Sequence, residues 1–146
     1  MSIPFEGHPA IALVDDDFYS ARMLTRVVEA QGGPTPQWLS DPDEAAGTLI
    51  ETSRKASACK DTLVVVDLKS SSVATRTFLE RLKASAPGLL VVAMAPSLDR
   101  ETRQSLLASG AAAVFERHAE ATAYRTEIAA LMDFWARHQG LHRAAP

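Results

Sequence analysis

Four short apolar runs punctuate the chain: Ala10–Val14 (AIALV), Leu63–Val66 (LVVV), Leu89–Met94 (LLVVAM) and Ala112–Phe115 (AAVF). Runs of this length with no polar interruption suit strands buried on both faces, which is how strands lie in a parallel sheet. Two of them stop abruptly on acids: Asp15-Asp16-Asp17 follows the first, and Asp67 follows the second.

Between the runs the pattern turns helical. Phe18 to about Gln31 carries Ala21, Leu24, Val27 and Val28 on one stripe and ends at Gly32-Gly33-Pro34, where a left-handed cap and a proline stop a helix. Thr35–Leu39 is a weak strand candidate. Asp41-Pro42-Asp43-Glu44 then reads as an N-cap, a first-turn proline and a capping box, opening a helix to about Lys55. Further helices are expected near Ala74–Ala86, Leu98–Ser109 (with Gly110 as cap) and Glu120–His138, and Ala56–Asp61 is expected to be a loop. Five strands alternating with five helices imply a doubly wound α/β domain, because parallel strands need crossover helices between them.

The 146 residues suit one domain, with residues 1–9 as an N-terminal extension, 10–138 as the folded unit and 139–146 as a flexible tail. Hydrophobic residues are 47% of the chain, enough for a substantial core. A formal charge of −3 gives no basic field for nucleic acid. Cys59 is the only cysteine, so neither an internal disulfide nor a cysteine metal site is available, which fits the cytoplasm. The first nine residues lack the pattern of a signal peptide, and no apolar run approaches a membrane span.

Open parallel sheets place their functional crevice at the carboxyl ends of the strands. Asp15, Asp16 and Asp67 converge there in this topology, and three adjacent carboxylates repel unless a cation intervenes. A hard divalent ion, Mg²⁺ above all, matches oxygen donors, and a carboxylate beside it can attack phosphorus. The plainer alternative is that each acid is a solvated cap for the helix that follows it.

In order and spacing, "LVDDD" (Leu13–Asp17), "LVVVDLK" (Leu63–Lys69), "RLKASAPGLLVVAMA" (Arg81–Ala95) and "LLASGAAAVFER" (Leu106–Arg117) resemble the receiver domains of two-component response regulators from about Ala10 to His138. The resemblance implies a (βα)₅ flavodoxin-like sheet in the order 2-1-3-4-5. It also implies Asp67 as phosphoacceptor, and Mg²⁺ held by Asp15, Asp16, Asp67 and the backbone carbonyl of Lys69. The phosphoryl donor would be a histidine kinase or a histidine phosphotransfer protein. With no output domain in view, signalling would pass through contacts with an unknown downstream protein, and the chain would not be an enzyme.

The departures are equally specific. Ala95 stands where the family keeps a Thr or Ser, Val114 replaces the switch aromatic, Arg117 replaces the usual Lys, and His118 replaces the following proline. Ser70-Ser71-Ser72 stands in place of the loop's customary proline and Asp-Gly. The acceptor chemistry is thus expected to persist while the readout is rebuilt. The competing reading is a phosphorylation-independent adaptor on a degenerate receiver fold. A flavin or nucleotide site is disfavoured, because the loops lack a glycine-rich phosphate cradle.

Asp17 is expected to start the first helix. His118 lies beside the expected pocket, where it could contact a phosphoryl group, but reads more readily as a surface residue. His138 and His142 are rejected as a metal pair because Gly140 reads as a helix end. Phe134-Trp135 resembles the phytochrome-associated receiver subgroup and points to a homodimer through the last helix, the alternative being ordinary core packing of Trp135.

Overall fold

The computed structural model describes residues 10–55 and 61–144, the last five by backbone alone. The N-terminal extension, most of the expected loop at 56–61, Cys59 and the side chain of His142 therefore lie outside the described residues.

The elements run β1 (Ala10–Asp15), α1 (Phe18–Ala30), β2 (Gln37–Leu39), α2 (Pro42–Ser53), β3 (Thr62–Asp67), α3 (Ala74–Ser85), β4 (Leu90–Ala95), α4 (Arg100–Ser109), β5 (Ala113–Glu116) and α5 (Ala121–Ala144). The strands form one parallel sheet in the order β2-β1-β3-β4-β5. Alternation along each strand divides the core. Ala12, Val14, Val64, Val66, Val91 and Ala93 face α2, α3 and α4. Ile11, Leu13, Leu63, Val65, Val92 and Met94 face α1 and α5. Continuous apolar runs are needed because both faces of the sheet are covered.

Local chemistry sets the helix starts. Asp17 accepts from the Ser20 amide, Asp41 from Asp43 and Glu44, and Asp99 from Thr102, each satisfying amide donors that an opening helix leaves free. Gly110 closes α4 at φ +125°, a region that residues with a Cβ avoid. At Gly33 a Cβ would lie 2.6 Å from Met132 Cε and 2.7 Å from Val28 Cγ1, so that glycine lets α1 and α5 close on each other.

Of the boundaries that differ from expectation, three have a local cause. β2 is only three residues long, since Pro34 and Pro36 shorten it from the front. α4 starts at Arg100 rather than Leu98, because Asp99 provides the cap. α5 continues past His138 and through Gly140 to Ala144; a glycine costs a helix only about 1 kcal/mol relative to alanine. A helix end at Gly140 is therefore no ground for rejecting the His138–His142 pair. Among the described residues, however, no group of three or more His, Cys, Asp or Glu side chains is placed to hold a metal ion.

Trp135 is buried in the core, and Met132 and Phe134 pack half-buried against it. Among the described residues, the exposed large apolar side chains lie instead at Phe18, Tyr19 and Met23 on α1, at Trp38 on β2, and at Val73 and Leu107. No helix among the described residues is long and apolar enough to cross a membrane.

Candidate functional site: a carboxylate cluster held by two cations

Parallel register puts Asp15 beside Asp67 at the ends of β1 and β3, about 4.8 Å apart along the hydrogen-bonding direction. Both are almost fully buried, at 1% and 2% exposure, and both fall on the parity that faces α1 and α5. Asp16, one residue later, points the other way along the rim. Its Oδ1 accepts from the Lys69 amide at 2.8 Å and its Oδ2 from the Ser70 amide at 2.8 Å. Burial, the largest single influence, pushes the Asp16 carboxyl up, but the two amides together bring it below its usual value. Asp16 is thus the anchor of the β3–α3 loop.

With its backbone fixed by Asp16, Lys69 folds its side chain back over the strand ends. The ammonium lies 2.7 Å from Asp15 Oδ1, 3.2 Å from Asp67 Oδ2 and 3.0 Å from the Asp67 carbonyl. Two of these contacts are hydrogen bonds, to Asp15 and to the Asp67 carbonyl, and the third is an ion pair. Arg117, just beyond β5, pairs with Asp67 Oδ1 from the opposite side, and its amide donates to the Ala95 carbonyl at 2.7 Å. Ser20 on α1 adds a long contact to Asp67 Oδ2 at 3.4 Å. Two buried carboxylates thus face two cations, with Asp16 beside them on the rim. Burial raises the Asp67 carboxyl above its usual value; Lys69 and Arg117 oppose this, and Asp15 adds to it. Desolvation outweighs the ion pairs here, as is common for a carboxylate taken out of water.

Trp38 and Tyr124 complete the surroundings. Trp38 donates its indole N–H to the Asp15 carbonyl at 2.6 Å, tying β2 to the site. The buried Tyr124 hydroxyl on α5 is pushed well above its usual value, first by desolvation and then by Asp67 and Asp15. His118 pairs with Glu116 at 2.9 Å and approaches Glu127 at 3.8 Å, so its partners lie away from the cluster. The Asp17 carboxylate caps α1, while its amide donates to Asp15 Oδ1 at 2.9 Å and so helps hold the cluster.

Two clefts flank the ion pairs. One of about 470 Å³ opens toward α3 and α4 past Asp67, Ser71, Thr75, Ala95 and Ser105. The other, about 480 Å³, opens toward α1 and α5 past Tyr19, Met23, His118 and Tyr124. Lys69 and Arg117 line both. Ala95 ends β4 at the wall of the first cleft and offers only a methyl group, while Val114 is buried in the core beside it. The Thr75 hydroxyl is occupied with the Leu68 backbone.

The residues singled out in the sequence are therefore brought together: Asp15, Asp16, Asp67, Lys69, Ala95 and Arg117 share one rim. For Lys69 the sequence suggests only a backbone carbonyl. The place of its ammonium is not legible there, because it depends on the loop that Asp16 anchors 53 residues away. Trp38, from a strand with little pattern of its own, gives no signal either.

Mg²⁺ fits this arrangement poorly. It takes six ligands at about 2.0–2.1 Å in near-octahedral geometry. Here the ammonium stands between Asp15 and Asp67, and both Asp16 oxygens are engaged by amides. Asp15 Oδ2 is the one carboxylate oxygen of the cluster that is buried without a hydrogen-bond donor.

Solved structures share this architecture. A response-regulator receiver domain from Rhodospirillum rubrum superposes with a TM-score of 0.73 at 20% identity, covering 87% of this chain and 93% of its own. The fold is that of a receiver domain. The phosphorylated cyanobacterial phytochrome response regulator RcpA aligns at a TM-score of 0.70 and 18% identity, covering 89% of this chain and 95% of that one. A signal receiver domain of a DNA-binding response regulator from Colwellia psychrerythraea gives 0.63 at 21% identity, with 86% and 99% covered. No protein-family model matches the sequence, and no curated protein does. The receiver likeness is thus carried by the backbone, and the function must be argued from the site.

Proposed function

We propose that this chain is a response-regulator receiver that accepts a phosphoryl group on Asp67 and signals through protein contacts. The observation that carries the reading is the setting of Asp67: a buried carboxylate at the carboxyl end of a central strand, between two cations, at the mouth of a cleft. An oxygen of Asp67 attacks the phosphorus of a phosphohistidine in line. The P–N bond breaks, its electron pair stays with the imidazole, which takes up a proton, and a mixed anhydride remains on Asp67. Lys69 and Arg117 are placed to shift from the carboxylate to the phosphoryl oxygens, offsetting charge as the group arrives. Arg117 presents a planar fork suited to phosphoryl oxygens. The exposed Phe18, Tyr19, Met23 and Trp38 border this rim and supply an apolar surface over which a protein donor can approach.

A second reading is favoured by one specific feature. Both Asp67 oxygens already have cationic partners, and Ala95 and Val114 leave no hydroxyl or aromatic ring to report a phosphoryl group. On that reading the chain is an adaptor whose ion pairs fix a single binding-competent state. Incubation with acetyl phosphate followed by intact mass measurement separates the two. A single phosphoryl adduct that is labile to hydroxylamine and absent from Asp67→Asn supports the acceptor. Unmodified protein under every condition supports the adaptor.

A further inference from the structure

We propose that Lys69 is the resident cation of the carboxylate cluster, so that the site is charge-compensated without a divalent metal and binds one only by displacing the Lys69 side chain. The inference stands whether or not Asp67 accepts phosphate, because it concerns the resting site.

Three observations carry it. First, the ammonium bridges the two buried carboxylates, 2.7 Å from Asp15 Oδ1 and 3.2 Å from Asp67 Oδ2, and donates a further hydrogen bond to the Asp67 carbonyl. A metal drawing on the same oxygens would have to share their space with a like charge, which repels strongly where water is excluded. Second, the third carboxylate is withdrawn from metal duty. Asp16 gives one oxygen to each of two successive amides, Lys69 and Ser70, and releasing it would free the loop that positions the lysine. Third, Asp15 Oδ2 is the single oxygen of these carboxylates left buried and without a donor, against the six ligands of a Mg²⁺ shell.

The lysine is held in place yet able to leave. Its side chain is 26% exposed and lines both flanking clefts, so a swing into solvent crosses no packed core. Residue 69 thus acts as a specificity determinant for the cation: lysine fills the site from within, and a short neutral side chain would open it. The sign of the local charge supports this. Asp15 and Asp67 are matched by Lys69 and Arg117, and losing Lys69 leaves that pair one net negative charge with Asp16 nearby on the rim, which favours recruiting a cation.

The test uses the full chain and Mg²⁺ itself, with Mn²⁺ as a spectroscopic substitute. Wild type, Lys69→Ala and Lys69→Arg are melted in EDTA and in about 10 mM Mg²⁺; binding is measured by calorimetry and Mn²⁺ resonance. Wild type and Lys69→Arg are expected to melt at the same temperature in both buffers. Lys69→Ala is expected to melt several degrees lower in EDTA, to recover in Mg²⁺, and to bind the ion at least about tenfold more tightly than wild type. Folding of Lys69→Ala only when Mg²⁺ is present would give the same support. If Lys69→Ala folds in neither buffer, the wild-type titration decides alone: weak or absent binding upholds the proposal, and sub-millimolar binding overturns it. Equal Mg²⁺ affinity in wild type and Lys69→Ala overturns it as well.

Discussion

Asp67 is a buried carboxylate whose desolvation its two cations do not fully offset. Burial and the neighbouring Asp15 raise its carboxyl above the usual value even with Lys69 and Arg117 in contact. The folded protein therefore holds a proton there that the unfolded chain, near the ordinary value of about 3.9, has already released. The contribution of Asp67 to stability is most favourable below that value and declines as pH rises through the raised one. At neutral pH the ionised side chain is then a net cost. Asp67→Asn is expected to melt above wild type at pH 7 by roughly 2–5 °C, with the gap closing as the pH is lowered toward 4. A lower melting temperature for Asp67→Asn at pH 7 would mean that the ion pairs with Lys69 and Arg117 outweigh desolvation. Lys69 shows the opposite balance. Removing it as Lys69→Met leaves two buried carboxylates facing Arg117 alone, and in metal-free buffer a loss of about 1–2 kcal/mol is expected by urea denaturation, moderated because the lysine is partly exposed.

At the scale of elements, termini and caps decide what each strand and helix delivers to the rim. Gly110 ends α4 at a positive φ and sits against Lys83, with a hypothetical Cβ 3.1 Å from Lys83 Cβ. Gly110→Ala should lose about 1–2 kcal/mol, read from chemical denaturation; an unchanged midpoint would mean that the α4–β5 turn relaxes at no cost. β4 ends on Ala95 beside a cleft of about 470 Å³, which leaves room for a hydroxyl. Ala95→Thr combined with Arg117→Lys is expected to enlarge the amide-exchange response of α4 and β5 to a phosphodonor. A response no larger than wild type would show that the missing hydroxyl is not what separates this site from a switching receiver. Much of this level is legible in the sequence. The buried runs of β1, β3 and β4, the caps at Asp17 and Asp41, and Gly110 each carry a local signal tied to a local cause. The start of α4 is harder to read, because Leu98 extends the apolar stripe while Asp99 supplies the cap. The end of α5 is hidden because one glycine looks like a stop yet costs a long helix little. The acids of the site are legible because strand ends in a parallel sheet converge. The ammonium of Lys69 is not, because a flexible side chain takes its place from tertiary partners rather than from its neighbours in sequence.

Across the whole molecule, the parallel register sets the site and the loops decide its chemistry. Asp15 and Asp67 are adjacent because β1 and β3 are adjacent, and the same sheet carries Arg117 on its far side by way of β4 and β5. The helices form two layers, and the two clefts beside the ion pairs open one toward each layer. A phosphoryl group on Asp67 would draw Lys69 and Arg117 toward itself and so be felt at both clefts, without the hydroxyl and aromatic pair that Ala95 and Val114 replace. The most direct test is to locate the acyl phosphate chemically. After incubation with acetyl phosphate, borohydride reduction converts a phosphorylated aspartate to homoserine, and peptide mass spectrometry reads its position. The expected result is homoserine at position 67 and at no other aspartate, formed in EDTA as well as in Mg²⁺. Reduction at Asp15 or Asp16, or no reduced residue in either buffer, would contradict the assignment of Asp67 as the acceptor.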